Sequence, residues 1–134
     1  EKLWNLILET IYKIESGKPE ILYYYFLWNF FMTLGYCPEV SRCAICSDNL
    51  NPYNICFSNI DGGVICKTCR SSKKIEEVNA DVVKILRLIL KKDWKTLSKI
   101  KIEAFSQDIL KKISQSYLSY LFSCNSFKNN LREC

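Results

Sequence analysis

The spacing C-x2-C-x19-C-x2-C, made by Cys43, Cys46, Cys66 and Cys69, constrains this chain more than any other feature it carries. A two-residue spacer turns both sulfurs of one tight turn toward a single point at about 2.3 Å, and two such turns complete a tetrahedron around one ion. The nineteen intervening residues must then double back. "YNICFS" reads as a short strand, "NIDGG" as a turn whose Asp-Gly-Gly tolerates positive φ, and "VIC" as the returning strand. Four thiolates leave no open position for water, so the expected cofactor is one structural Zn2+. Arg42, Lys67 and Arg70 abut the ligands, where their charge offsets the excess negative charge of a four-thiolate centre. A redox dithiol and a disulfide pair are the competing readings. The first calls for a single CxxC at a helix start in a βαβ setting and the second for a secretory context, and neither setting is visible. Cys37, Cys56, Cys124 and Cys134 stand outside the paired spacing. Cys56 in its strand and Cys37 near a helix end read as small hydrophobes.

The chain has no histidine among its 134 residues. That removes a Ser-His or Cys-His nucleophile pair, a His general base and any mixed Cys/His metal site. No GxGxxG or GxxxxGK[ST] run cradles a phosphate, and neighbouring acids such as Glu76 and Glu77 point apart on a helix. An enzyme is not expected. The most apolar stretch, Ile21 to Tyr36, is interrupted by Asn29 and is too short for a membrane span. No signal-peptide order is present at the start, and a cytoplasmic location is expected. The chain opens at Glu1 and its only methionine is Met32, which suggests a fragment.

Around the cysteine segment the pattern is helical. Leu3, Trp4, Leu6, Ile7, Leu8, Ile11, Tyr12 and Ile14 follow helical spacing over Lys2 to Ile14. Gly17 suits a C-terminal cap and Pro19 the first turn of a second, nearly all-apolar helix that ends at Gly35. The seven aromatic residues of that helix read as core rather than as a base-stacking platform. Pro38 ends helical character, Ser71 to Asn79 reads as polar linker, and Asn79 or Asp81 caps a third helix that runs to about Lys91. "KKDWKTLSKIKIE" makes a short helical or turn segment with Trp94 and Leu97 inward. The last helix spans Phe105 to Phe122, with an inward stripe of Phe105, Ile109, Ile113, Tyr117 and Leu121 flanked by Leu110, Leu118 and Phe122. Ser123 to Cys134 is polar and reads as loose. The fold class expected is mainly α, a helical domain over 1–134 with a four-cysteine hairpin module inserted at 40–72.

The net charge of +5 is unevenly spread: Lys67 to Lys101 holds eleven bases against four acids. The segment reads either as a site for an anionic partner, whether a phosphate backbone or an acidic peptide, or as a solvated lysine-rich helix face. The candidate contacts are Lys67, Arg70, Lys73, Lys74, Lys91, Lys92 and Lys95.

Two helices ending "LGYCP", then "RCAIC", then "FSNIDGGVICKTC", then a basic linker and helices ending "YLSYLF", resemble the C-terminal domain of the RecO family of bacterial recombination mediators. The resemblance covers essentially the whole chain. It implies a mainly helical domain with an inserted zinc finger whose ligands fall on Cys43, Cys46, Cys66 and Cys69. It further implies a non-enzymatic role in DNA repair and recombinational gap repair, close to the nucleoid. Family members bind single- and double-stranded DNA and partner with RecR and single-strand-binding protein. An alternative is a protein-interaction scaffold that makes no DNA contact of its own. Family members also begin with an oligonucleotide-binding (OB) barrel, which nothing ahead of Glu1 supplies, so DNA affinity weaker than the family's is expected here.

Overall fold

The computed structural model describes residues 1–70 and 75–123. The expected mainly helical body with a small cysteine-bearing sheet is what it has. Helix α1 spans Lys2–Lys13 and passes through a 3-10 turn, Ile14–Ser16, to Gly17, whose φ of 72° closes it. Helix α2, Pro19–Thr33, starts on the proline, whose fixed φ suits a first turn. Strands β1 (Ile55–Ser58) and β2 (Gly63–Cys66) form the anticipated hairpin. A 3-10 turn follows at Lys67–Cys69. Helix α3 covers Ala80–Leu90, where the Asn79 side chain accepts from the Val82 amide at 2.9 Å as its cap. The short α4 is Trp94–Leu97 and α5 is Ala104–Ser123. Among the described residues no helix is long and apolar enough to cross a membrane. The tail beyond Ser123, with Cys124 and Cys134, lies outside the described residues.

Three expectations need correction, the last of them at Cys37. Residues 75–78, read as part of a polar linker, form strand β3 (Ile75–Val78), antiparallel to β1, giving a three-stranded sheet of order β2-β1-β3. β3 is an edge strand, and its two acids, which hid it, are what edges commonly carry. On α5 the buried stripe is Ser106, Leu110, Ile113, Ser114, Tyr117 and Leu121, while Phe105 and Phe122 are exposed. Ile113, Tyr117 and Leu121 face inward as expected, and the two buried serines join them because they accept bonds from other elements. Asn79 Nδ2 donates to Ser106 Oγ at 3.0 Å, and Trp28 Nε1 donates to Ser114 Oγ at 3.0 Å.

The core centres on Trp28 of α2, which stacks on Tyr117 of α5 with centroids 5.5 Å apart and meets Phe31 and Phe57 edge-on. Side chains alternate across a strand, and in β1 this places Ile55 and Phe57 in the helical core while Cys56 turns to the opposite side. Cys56 is buried there with Cys43 and Ile65, the small-hydrophobe role expected of it. Cys37 does not follow that reading, since it is disulfide-bonded. β1 therefore sits between two clusters, one belonging to the helices and one to the cysteine segment.

Candidate metal centre

The first cysteine corner is a tight turn. Cys43 donates its amide to Asp48 O at 3.0 Å and accepts from the Ser47 amide at 3.0 Å, with Ser47 left-handed at φ 64°. The second corner is the end of β2 at Cys66 and the 3-10 turn that carries Cys69. The hairpin register, Ile55 opposite Cys66, brings this corner back beside the first. The four Sγ atoms lie within 4.8 Å of one another, and Cys46 Sγ is 3.8 Å from Cys66 Sγ. A tetrahedral thiolate site with metal–sulfur bonds of about 2.3 Å has sulfur–sulfur edges of about 3.8 Å. The donor set therefore fits one four-coordinate ion, and the residues singled out by spacing are brought together as a group placed to hold a metal.

The thiols differ in acidity. Burial works against the Cys43 thiolate, but amide donation from Cys46, Cys66 and Ile45 outweighs it and brings Cys43 down to about 6. The Cys66 amide is 3.3 Å from the Cys43 sulfur. Desolvation and the crowding of the other sulfurs push Cys69 up to about 12. A cation bound among them would supply the charge that compensates four thiolates.

The corner is mounted on the helices by the segment Glu39 to Arg42. Glu39 donates to Gly62 O at 2.9 Å and accepts from Val64 N at 2.8 Å, a parallel bridge to β2. The Glu39 carboxylate accepts the Ser41 and Arg42 amides at 2.8 and 3.2 Å. From the other side Arg87 of α3 donates Nε to Val40 O at 2.8 Å and Nη2 to Ser41 O at 3.5 Å. Residue pattern did not single out Glu39, Gly63 or Arg87. Their roles depend on which elements meet, and only the glycine pair of "NIDGG" hints at a close approach.

The basic candidates divide between two places. Exposed Lys67 and Arg70 border a cleft beside β1 and β3, and Arg70 pairs with Glu77 at 3.4 Å. Exposed Lys91, Lys92 and Lys95 sit at the turn from α3 into α4, where Lys92 pairs with Glu9 of α1 at 3.4 Å. Lys73 and Lys74 lie outside the described residues.

Residues 1–128 match the family described as Recombination protein O C terminal. A curated relative named DNA repair protein RecO, from Dehalococcoides mccartyi, is 34% identical over 101 residues, covering 75% of this chain and 40% of that protein. Its namesake from Caldicellulosiruptor saccharolyticus is 29% identical over 88% of this chain and 48% of the relative. The one from Thermoanaerobacter sp. is 26% identical over 98% and 55%. The chain spans about half the length of the curated relatives it matches. No solved structure matches it significantly.

Proposed function

The chain belongs to the RecO C-terminal family, and from that premise we propose that it is a non-catalytic part of a DNA repair and recombination mediator. It binds single- and double-stranded DNA, docks RecR and single-strand-binding protein during gap repair, and works in the cytoplasm at the nucleoid. The observation that supports this reading is the family match over residues 1–128, since the matched relatives are named DNA repair proteins. The chemistry agrees: without histidine, and with four thiols directed at one another, the chain has the means to hold a metal and present cations rather than to turn over a substrate.

The metal is one Zn2+ held by Cys43, Cys46, Cys66 and Cys69, which suits an all-thiolate tetrahedral set. Bound there, it supplies a structural crosslink between the two corners. Its neighbours Lys67 and Arg70, with Lys73, Lys74, Lys91, Lys92 and Lys95, supply cations for phosphates or for an acidic protein tail. The helical domain covers 1–134 and the metal module 40–72, and the OB-type barrel of the family is no part of this stretch.

The test is fluorescence anisotropy with labelled single- and double-stranded oligonucleotides across a salt series, together with metal analysis of the purified protein. Near-stoichiometric zinc and a log-log salt dependence with a clear negative slope are expected. Zinc-free protein with every thiol titratable overturns the metal assignment, and salt-indifferent binding overturns the phosphate assignment.

A second reading is a docking scaffold with no DNA contact of its own. It is favoured by the ion pairs that already engage Arg70 and Lys92. Charge reversal at Lys91, Lys92 and Lys95 separates the two, because unchanged DNA binding with lost partner binding selects the scaffold.

A further inference from the structure

The most exposed large apolar side chain on the described surface is Tyr53, at 88%. It stands where the fold gives it nothing to pack against, yet the backbone beneath it is fixed. Pro52 precedes it in a turn in which Asn51 Oδ1 accepts the Tyr53 amide at 3.0 Å and Asn51 O accepts the Asn54 amide at 3.2 Å. A ring presented on a turn braced this way has little main-chain freedom left to lose when something settles on it.

What lies beside the ring defines the occupant. Tyr53, Asn54, Lys67, Arg70 and Glu77 all line one cleft of about 180 Å³. Two cations and an aromatic residue lining one cleft is the pairing that proteins use for single strands, phosphates on the cations and a base on the ring. The volume favours a polymer over a free nucleotide. Pockets that enclose small ligands run from roughly 300 Å³ upward, whereas an open cleft smaller than that suits one unit of a strand whose remainder crosses the surface. Glu77 holds the Arg70 guanidinium at the rim, at 3.4 Å, so an incoming phosphate competes with a carboxylate for it.

We propose that the Tyr53 ring, with Lys67 and Arg70 of the same cleft, is a single-nucleotide subsite for single-stranded DNA, built on the cysteine module. The proposal rests on the DNA-binding reading above and assigns it a place. It also gives Lys67 and Arg70 a role beyond balancing thiolate charge.

Anisotropy with a fluorescein-labelled oligothymidylate, and with an abasic strand of the same length, tests it on the whole chain. Tyr53→Ser should weaken thymidylate binding about tenfold, the loss of one stacked base, and leave abasic binding unchanged. Tyr53→Phe should bind as the unaltered chain does. Lys67→Gln should reduce the salt slope by about 0.7, one phosphate contact on a single strand, and Glu77→Gln should tighten binding. The ring buries nothing, so thermal midpoint and metal content should be the same in both Tyr53 variants.

If the unaltered chain fails to bind thymidylate at low salt, the DNA reading falls and this subsite with it. If it binds and Tyr53→Ser binds equally well, the subsite alone is overturned. Equal affinity for thymidylate and abasic strands leaves only a cation patch, which also overturns it.

Discussion

A methyl group at residue 63 would have nowhere to go. A Cβ built on Gly63 lies 2.2 Å from the Glu39 carbonyl oxygen and 2.7 Å from its nitrogen, both backbone atoms of the segment bridged to β2. Neither can move without breaking the bridge that leads into Cys43. Gly63→Ala should therefore cost about 2 kcal/mol or more, at the upper range for overpacking, measured as a drop in urea midpoint, and should loosen metal retention at the same time. Glu9 offers a second, pH-dependent test. Burial alone would raise its carboxyl, but the Tyr25 hydroxyl and Lys13 donate to it, and the Lys92 charge adds to them, so it is held below the ordinary value of 4.5. A carboxyl lowered in the folded state takes up its proton less readily there than in the unfolded chain. Its stabilisation is therefore complete above pH 4.5 and is lost as pH falls below that value. The same contact, after burial, raises the Tyr25 hydroxyl above its usual 10.0, so that side's contribution is present below pH 10 and lost above it. Glu9→Gln should lower the thermal midpoint at pH 7 and flatten its fall between pH 5 and 3. An unchanged acid limb would show that the contact carries no stability.

Between residues and whole molecule, the element that organises the candidate metal centre is the segment Glu39 to Arg42, clasped by β2 on one side and by Arg87 of α3 on the other. Arg87→Met removes both donors and leaves the Val40 carbonyl, in a buried residue, without this partner, a loss of about 1 to 3 kcal/mol. It should also speed zinc release to a chromophoric chelator. Arg87→Lys keeps the charge but lacks the two-pronged geometry, so it should recover only part of the release rate; full recovery would reduce Arg87 to a charge. Covalent spacing made the four thiols legible in the sequence, because two-residue spacers can do little else at such a density. Helix α3 was legible from its period and cap, and α2 from an apolar run bounded by Pro19 and Gly35. β3 was not, since a four-residue edge strand carrying Glu76 and Glu77 has no apolar alternation, and only its pairing with β1 reveals it. On α5 the inward run Ile113, Tyr117 and Leu121 was legible, whereas hydropathy could not anticipate that Ser106 and Ser114 are wanted inside by Asn79 and Trp28 or that the end residues Phe105 and Phe122 are exposed. Tyr53 and Arg87 were missed for the same reason: an exposed ring and a helix-face arginine acquire meaning only from neighbours distant in sequence.

On the scale of the molecule, the shared strand β1 decides whether the cysteine module is an appendage or a part of the core. Phe57 is fully buried, its ring centroid 5.7 Å from that of Trp28 and 5.5 Å from that of Tyr117, while the adjacent Cys56 packs with Cys43 and Ile65. Asn59, just past the strand, donates to Ser116 of α5 at 2.7 Å. An unfolded module would pull Phe57 out of the aromatic cluster, so melting cannot stop at the hairpin. Binding free energy of a structural metal is folding free energy where the site exists only in the folded chain, and for a metal held by the four cysteines that linkage would extend into the helices through one ring. Chelation, or Cys66→Ser, should therefore abolish the near-ultraviolet circular dichroism of the Trp28–Tyr117 stack and lower the thermal midpoint in one transition. Phe57→Ala should cost about 3 to 5 kcal/mol and weaken metal retention from the opposite direction. Trp4→Ala, at a position 61% exposed on α1, should change stability by only about 0.5 kcal/mol. Loss of the cysteine site with the aromatic signal intact would mean that the two clusters fold independently and that β1 does not link them.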